Sequence, residues 1–385
     1  KPAVFTSLKI VSPPDKETYY LDERASAPDL TGLRVKVVYD NGAEADADNS
    51  AFAIGAVNLT EPGEKKITLS YTVKGITKET SFNVDVKERT LSDLKNGEYT
   101  TVNNEYSASA TEYKIADGAV TAIDMNGNEV DVTVKGGATY ISASAFNKPS
   151  AILLRVTDGE KTTFIKVAAA TYISTAEDFA KINEDLDGYY VLIKDLYWEN
   201  DGTMIGKAGI TSNVIADETV NTLDLTGEGN SAGQKGEAFT GTFDGNGYVL
   251  HGFDIKYDKD GSVAAWQAPA FYMGVFGWIG ESGRVCNFTL RSCSIRSGKL
   301  GAFIAGVNQG VIENVVIEGD SKLYVNYLEC GAIAAYNDGK INNVLCYADK
   351  MTDRNGEHAL SEAVFEGNGK NDAVNTYIAN KTDLT

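Results

Sequence analysis

Only two histidines occur in the chain, His251 and His358, so chemistry that rests on imidazole has two places to sit. A zinc peptidase of the His-Glu-x-x-His kind needs two histidines one helical turn apart, with the glutamate as base. The run from His358 to Glu362 supplies one. A Ser-His-Asp hydrolase must draw on one of the same two histidines, and His251 falls in a strand turn and His358 in a polar segment, which argues against that chemistry. Glycoside hydrolysis needs paired carboxylates at a fixed separation. Asp254, Asp258, Asp260 and Glu281 are candidates, but a chain with 54 acidic residues offers such candidates anywhere. A polysaccharide lyase needs a base and a charge neutraliser on one face. The clear basic cluster is Arg284, Arg291, Arg296 and Lys299. It reads either as a site for an anionic ligand or as a solvated face balancing nearby acids, the commoner arrangement.

Trp198, Trp266 and Trp278 offer rings that stack on sugars. Trp278 falls in a repeated position occupied elsewhere by Ala305 and Ala335, which predicts an inward side chain. Trp266 lies between repeats and is the candidate for an exposed ring. Asp244-Gly245-Asn246-Gly247 resembles a fragment of a calcium loop but lacks the remaining ligands, so a tight turn is the better reading. No cofactor is expected, although so acidic a chain leaves room for a structural calcium ion. The four cysteines, Cys286, Cys293, Cys330 and Cys346, form no Cys-x-x-Cys pair, and two of them occupy apolar repeat positions. They read as small buried hydrophobes rather than metal ligands.

The formal net charge is −19. Nucleic-acid binding needs a basic footprint, and anionic membranes attract basic segments, so both partners are disfavoured. No run of 18 apolar residues exists to span a bilayer. The chain opens on Lys1 and reads as a mature or trimmed fragment. A monomer kept in solution by its charge is the expectation.

These side chains must be positioned by something, and residues 274–347 say what. A motif returns three times there: GVFGWIGESGRVCNFTL, GAFIAGVNQGVIENVVI and GAIAAYNDGKINNVLC. Each copy has an opening glycine (Gly274, Gly301, Gly331) and a turn glycine (Gly283, Gly310, Gly339). Each then carries an asparagine inside an apolar run: Asn287, Asn314 and Asn343. A fixed period of this length signals stacked units that cannot bury their inner faces alone. Apolar residues fall two apart, as in strands. Val285, Phe288 and Leu290 match Ile312, Val315 and Ile317, then Ile341, Val344 and Cys346. Stacked short strands of this kind make a parallel β-helix. The asparagines suit bends in left-handed backbone and a side-chain ladder along the axis. Gly252 takes the place that later copies give to asparagine.

In chain order, residues 1–88 read as a β-sandwich. Leu33, Val35, Val37 and Tyr39 alternate into the turn Asp40-Asn41-Gly42, and Ile67, Leu69, Phe82, Val84 and Val86 follow the same period. Residues 89–170 read as a second sandwich-like domain. Residues 171–385 form the β-helix domain, with a capping helix over 176–186 signalled by Ser174-x-x-Glu177 and by Phe179, Ile182 and Leu186. The polar stretch 199–238 reads as a loop or insertion. The fold class is therefore all-β: Ig-like β-sandwich, then a parallel β-helix with a short capping helix.

Tyr20-Leu21-Asp22, Asp29 to Val35, Tyr39-Asp40-Asn41-Gly42 and Pro62-Gly63 resemble the group 3 bacterial Ig-like domains. That resemblance implies an extracellular spacer on a bacterial surface protein. FTGTFDGNGYVLHGFDI (239–255), with STAEDFAKI, YYVLIKDL and the repeats, resembles the bacterial surface proteins that carry GLUG motifs. This implies a right-handed β-helix on a secreted or wall-attached protein. The expectation is an extracellular, adhesin-like protein whose partner is a glycan or a host or environmental surface protein. Trp266, Arg284, Arg291 and Arg296 are the candidate ligand-binding residues. A carbohydrate-active lyase or glycosidase is the alternative.

Overall fold

The computed structural model describes residues 2–95, 97–199, 202–206, 209–215, 218–224, 236–256, 272–297, 300–325, 331–348, 350–353, 356–358, 373–374 and 376–378. The described chain is nearly all strand, with one short α-helix. It folds into two compact units: residues 1–102, 110–145 and 152–167 in the first, and 103–109, 146–151 and 168–385 in the second.

The first unit begins with two small sheets around one core, an arrangement consistent with an Ig-like β-sandwich. Phe5–Ser12, Arg34–Tyr39 and Glu44–Asp46 make one sheet, and Thr18–Tyr20, Ile76–Lys87, Gly63–Val73 and Ala53–Ile54 the other. Leu33, Val35, Ile67, Leu69, Val84 and Val86 are buried in the shared cluster with Tyr19 and Leu59. The period-2 alternation forces this, because successive side chains of a strand leave on opposite faces. Residues 112–158 add a three-stranded antiparallel sheet of Val132–Lys135, Ala138–Ser142 and Glu112–Asp117, and a run of antiparallel strands, Glu129–Val130, Thr121–Asp124 and Ser150–Asp158. Charges tie them to the first pair within the unit. The Arg89 guanidinium pairs with Asp22 and Glu23, each at 3.1 Å, and lies 3.7 Å over the Tyr20 ring. Arg155 donates to the Asp22 carbonyl at 2.6 Å. Burial pushes the Asp22 carboxyl above its ordinary value, and Arg89 and Arg155 pull against that.

In the second unit, successive stretches of chain contribute one strand each to the same ladders, and the pairing is parallel. The first ladder runs through Tyr189–Leu192, Thr242–Asp244, Arg284–Arg291, Val311–Glu318 and Lys340–Cys346. The second runs through Asp254–Lys256, Ser294–Ser297, Lys322–Val325 and Lys350–Asp353. The third holds Phe276–Ile279, Ala305–Asn308 and Ala334–Asn337. In the first ladder Val285 pairs with Ile312 and then Ile341, and Leu290 with Ile317 and then Cys346, as the motif alignment expects. These residues share one buried cluster with Phe243, Phe276 and Phe303.

The third ladder corrects the expected alignment. Phe276 pairs with Ala305, and Trp278 with Val307 and then Tyr336, not with Ala305 and Ala335. The cause is a difference in turn length. Phe276 and Ala305 are 305 − 276 = 29 residues apart, while Asn287 and Asn314 are 314 − 287 = 27. The first copy therefore carries two extra residues in the turn around Glu281, and aligning on the opening glycines slips the register by two. Trp278 is nevertheless buried, and its Nε1–H donates to Gln309 Oε1 at 2.9 Å.

The asparagines do line up. Asn287, Asn314 and Asn343 all have φ between +53° and +61°. Asn343 Nδ2 donates to Asn314 Oδ1 at 2.7 Å, and Asn314 Nδ2 to Asn287 Oδ1 at 3.0 Å. Asn287 Nδ2 in turn donates to Asp244 Oδ1 at 2.9 Å. Asp244 thus ends the column, and Gly252 does not stand in for asparagine. Gly252 (φ 69°) instead starts another left-handed column with Ser292 (φ 52°) and Gly319 (φ 73°), at the corner between the first two ladders. The turn glycines have a different reason. A Cβ on Gly310 would lie 2.1 Å from the Gly283 carbonyl, and one on Gly339 2.2 Å from the Gly310 carbonyl. Backbone meets backbone there, so no side chain fits.

Short helical turns precede these strands: an α-helix over Ala176–Ala180 and a 3-10 turn over Lys181–Glu184. The N-cap is Thr175, not Ser174: its hydroxyl accepts from Asp178 N–H at 3.0 Å, and Asp178 accepts back from Ser174. Phe179 and Ile182 are fully buried, and the Phe179 ring meets Trp198, Phe243 and Phe253 at 5.4–6.1 Å. Within the expected insertion, Gly209–Ile215 and Glu218–Asp224 pair as an antiparallel hairpin.

Trp198 and Trp278 pack within the second unit, so tryptophan fluorescence reports its unfolding. Gly310→Ala is expected to destabilise that unit by about 3 kcal/mol, the upper range of overpacking. Asn314→Ala removes two side-chain hydrogen bonds and strains a left-handed residue, costing about 2 kcal/mol. Asn314→Gly relieves the strain and costs about half as much. Urea titrations of the three variants check the order.

Candidate ligand-binding column

The sequence-selected arginines sit on two consecutive strands but do not act together. Arg284 opens the strand Arg284–Arg291 and Arg291 closes it, a separation of at most roughly 23 Å at strand rise. Arg284 forms an ion pair with Glu313 on the next rung. Arg291 forms one with Glu318. Arg296 lies around the corner on the second ladder, with its guanidinium 5.2 Å over the Tyr324 ring. Trp266, Lys299, Asp258 and Asp260 lie outside the described residues. Asp254 is held by Lys256 at 3.1 Å.

A different set of side chains comes together around Arg291. Parallel pairing places Tyr197 beside His251 and His251 beside Arg291. Arg291 then pairs with Glu318, and the Tyr347 N–H bonds to the carbonyl of Ile317, which sets Tyr347 beside Glu318. Five consecutive rungs thus present Tyr197, His251, Arg291, Glu318 and Tyr347 as one column, spanning about 19 Å at the spacing of hydrogen-bonded strands. Their strand neighbours Leu196, Leu250, Leu290, Ile317 and Cys346 are buried, so the alternation turns the column outward.

The side chains of the column touch in sequence. The Tyr197 and His251 rings stack with centroids 4.4 Å apart and planes 5° apart. His251 Nε2 lies 3.9 Å from Asp195 Oδ2, and Asp195 Oδ1 is fixed by the Val249 N–H at 2.9 Å. Arg291 donates to Glu318 Oε1, and the Tyr347 hydroxyl donates to Glu318 Oε2. Burial by itself raises the Glu318 carboxyl, but the Tyr347 hydrogen bond and the charges of Arg291 and His251 outweigh it and leave the group below its ordinary value. The bond to Glu318, with burial, raises the Tyr347 hydroxyl. Tyr197 is 65% exposed, the most exposed large hydrophobic among the described residues, so one face of its ring is backed by imidazole and the rest meets solvent.

Asp244-Gly245-Asn246-Gly247 is a tight turn. Asn246 and Gly247 both have positive φ, and Asp244 Oδ1 accepts from the Asn246 N–H at 2.9 Å. Among the described residues no group of three or more His, Cys, Asp or Glu is placed to hold a metal ion. Cys286, Cys293 and Cys346 are buried, and burial pushes the Cys293 and Cys346 thiols up to about 12. Cys330 lies outside the described residues.

Tyr197, His251, Glu318 and Tyr347 were not selected from the sequence. Their separations are uneven, and no residue type repeats from one rung to the next. A signal existed all the same: each follows the last apolar residue of its strand, as Arg291 follows Leu290.

Comparison with known proteins bears first on the amino-terminal segment. Residues 12–86 match the bacterial Ig-like domain, group 3. The Ig-like segment is thus supported by its own sequence and by its two sheets. A stretch of 179 residues, 42% of the chain, is 31% identical to pectate lyase L of Thermoclostridium stercorarium, of which it covers 13%. A stretch of 114 residues, 29% of the chain, is 28% identical to halomucin of Haloquadratum walsbyi, of which it covers 1%. The chain therefore spans a small part of the length of these curated relatives.

A carboxylate whose value is lowered by folding stabilises the fold above its unfolded value, and that contribution is lost as pH falls through the folded value. Glu318 is such a group, so its part in stability is present at neutral pH and disappears in the acid carboxylate range. Glu318→Gln is expected to cost about 1 kcal/mol at neutral pH, the range of a partly exposed ion pair, and to flatten the acid limb. Thermal melts followed by tryptophan fluorescence at stepped pH check both.

Proposed function

We propose that this is a bacterial cell-surface protein that binds a glycan or another surface protein without transforming it. In this reading residues 1–88 are an Ig-like sandwich, 89–170 a second sandwich-like module, and 171–385 a right-handed parallel β-helix of the GLUG-motif kind. The short helix at 176–184 caps its first rung. The sandwiches act as spacers, the β-helix presents the binding face, and the protein works as a monomer outside the cell. The match of residues 12–86 to a bacterial Ig-like domain supports the surface setting. The similarity to halomucin agrees with it.

The observation that carries the binding reading is the outward column from Tyr197 to Tyr347. It combines an exposed aromatic face with a fixed donor and acceptor array on a rigid ladder, which suits recognition. A second reading has one observation in its favour. The identity with pectate lyase L points to a carbohydrate-active lyase or glycosidase. A glycan array and a panel of surface proteins, probed with the whole 385-residue chain, separate the two. Retention of a ligand with no new reducing ends is the expected result. New reducing ends on any retained glycan would replace the binding reading with the enzymatic one.

A further inference from the structure

The column is more specific than a generic sticky face, and its charge balance says for what. Its one exposed arginine is already neutralised, because Arg291 is bound to Glu318. Glu318 is held ionised by its bonds to Arg291 and Tyr347. Beside His251 stands the Asp195 carboxylate. An anionic ligand would have to displace Glu318 from Arg291 and approach two carboxylates, on a chain whose formal net charge is −19.

A sugar without charge meets no such barrier. Each hydroxyl donates and accepts at once. An arginine and a glutamate bound side by side present both functions, since the guanidinium has five donors and the carboxylate about four acceptor sites. The apolar C–H face of a pyranose suits the open face of Tyr197, whose ring is kept flat against His251. The rungs space these groups in a straight row of about 19 Å, which fits an extended chain of several sugars rather than a single one.

Resting on the surface-binding reading above, we propose that the Tyr197–His251–Arg291–Glu318–Tyr347 column is a binding site for an uncharged, extended oligosaccharide. Tyr197 stacks on one ring, and Arg291, Glu318 and Tyr347 take the hydroxyls of the rings that follow.

The test uses the whole chain and isothermal titration with hexasaccharides of glucose, xylose, mannose and galactose, against hexagalacturonate as the charged probe. At least one uncharged hexasaccharide is expected to bind, with an affinity that changes less than about twofold between roughly 50 and 500 mM salt. Tyr197→Ala is expected to weaken that binding by about tenfold, and Tyr197→Phe to leave it within about twofold. Tyr197 is exposed, so both variants should fold, and their tryptophan-fluorescence melts verify this. Binding of hexagalacturonate alone, falling steeply with salt, would overturn the proposal. So would uncharged binding that survives Tyr197→Ala. Either result leaves the surface-binding reading standing, with its site elsewhere. Silence on both this panel and the array would remove both.

Discussion

Parallel strands that hydrogen-bond to one another must lie about 4.8 Å apart, and nearly every feature of the second unit follows from that spacing. Where two rungs turn together, the backbone of one presses on the backbone of the next. The Gly283, Gly310 and Gly339 turns therefore have no room for a Cβ. Where the chain bends within the first ladder, its amides leave the regular pattern. Asn287, Asn314 and Asn343 take up the bend in left-handed backbone and bond to each other across the same gap. Asp244 ends this column because it only accepts: it satisfies Asn287 Nδ2 and closes its own turn with the Asn246 amide. The aromatic cluster around Phe179 sits at the opposite extreme of the same constraint. There large rings rather than repeated aliphatics fill the core.

How much of this was legible in the sequence depends on whether spacing or contact decided it. The asparagine column and the Val285–Ile312–Ile341 register were legible, because each rung repeats them for its own reasons. The Trp278 register was not. Two extra residues in the turn around Glu281 move the third ladder relative to the first, and a short apolar run with small residues carries little to reveal the slip. The buried pair Asn308 and Asn337, bonded at 2.6 Å, was likewise overlooked, although both copies place asparagine just before the turn glycine. The arginine cluster was visible as a cluster, yet its meaning lay in partners from the next rung. Glu313 and Glu318 are 29 and 27 residues away in sequence, and only the ladder brings them alongside Arg284 and Arg291. The helix was found and its cap displaced by one residue, since Ser174 and Thr175 compete for the role and geometry chose the second.

The two units solve the problem of unpaired strands in different ways. In the first, antiparallel hairpins pair strands that are close in sequence, such as Gly63–Val73 with Ile76–Lys87, and the turn at Lys74-Gly75 supplies the positive φ that such a connection needs. Its internal joints are made with charge: Asp22 is buried between Arg89 and Arg155. Such a pair is poor evidence for stability, since desolvating both partners offsets most of their attraction, but it allows few alternative arrangements. In the second unit each strand pairs with one from the next rung, and the joints are apolar and repetitive.

The inside and the outside of the ladders obey different constraints. Inward positions are nearly interchangeable from rung to rung because each must pack on the next: Leu250, Leu290, Ile317 and Cys346 share one column. The adjacent outward column is under no such requirement, and its members differ at every rung: tyrosine, histidine, arginine, glutamate, tyrosine. If these residues served only solubility, any charged or polar set would do, and an exposed tyrosine lying flat on a histidine would gain nothing. A Glu318 carboxylate bound at once by an arginine and a tyrosine is likewise more ordered than a solvated surface needs, because immobilising those side chains costs conformational entropy. That order at the surface exceeds what packing of the ladders requires, and the proposed binding reading rests on it.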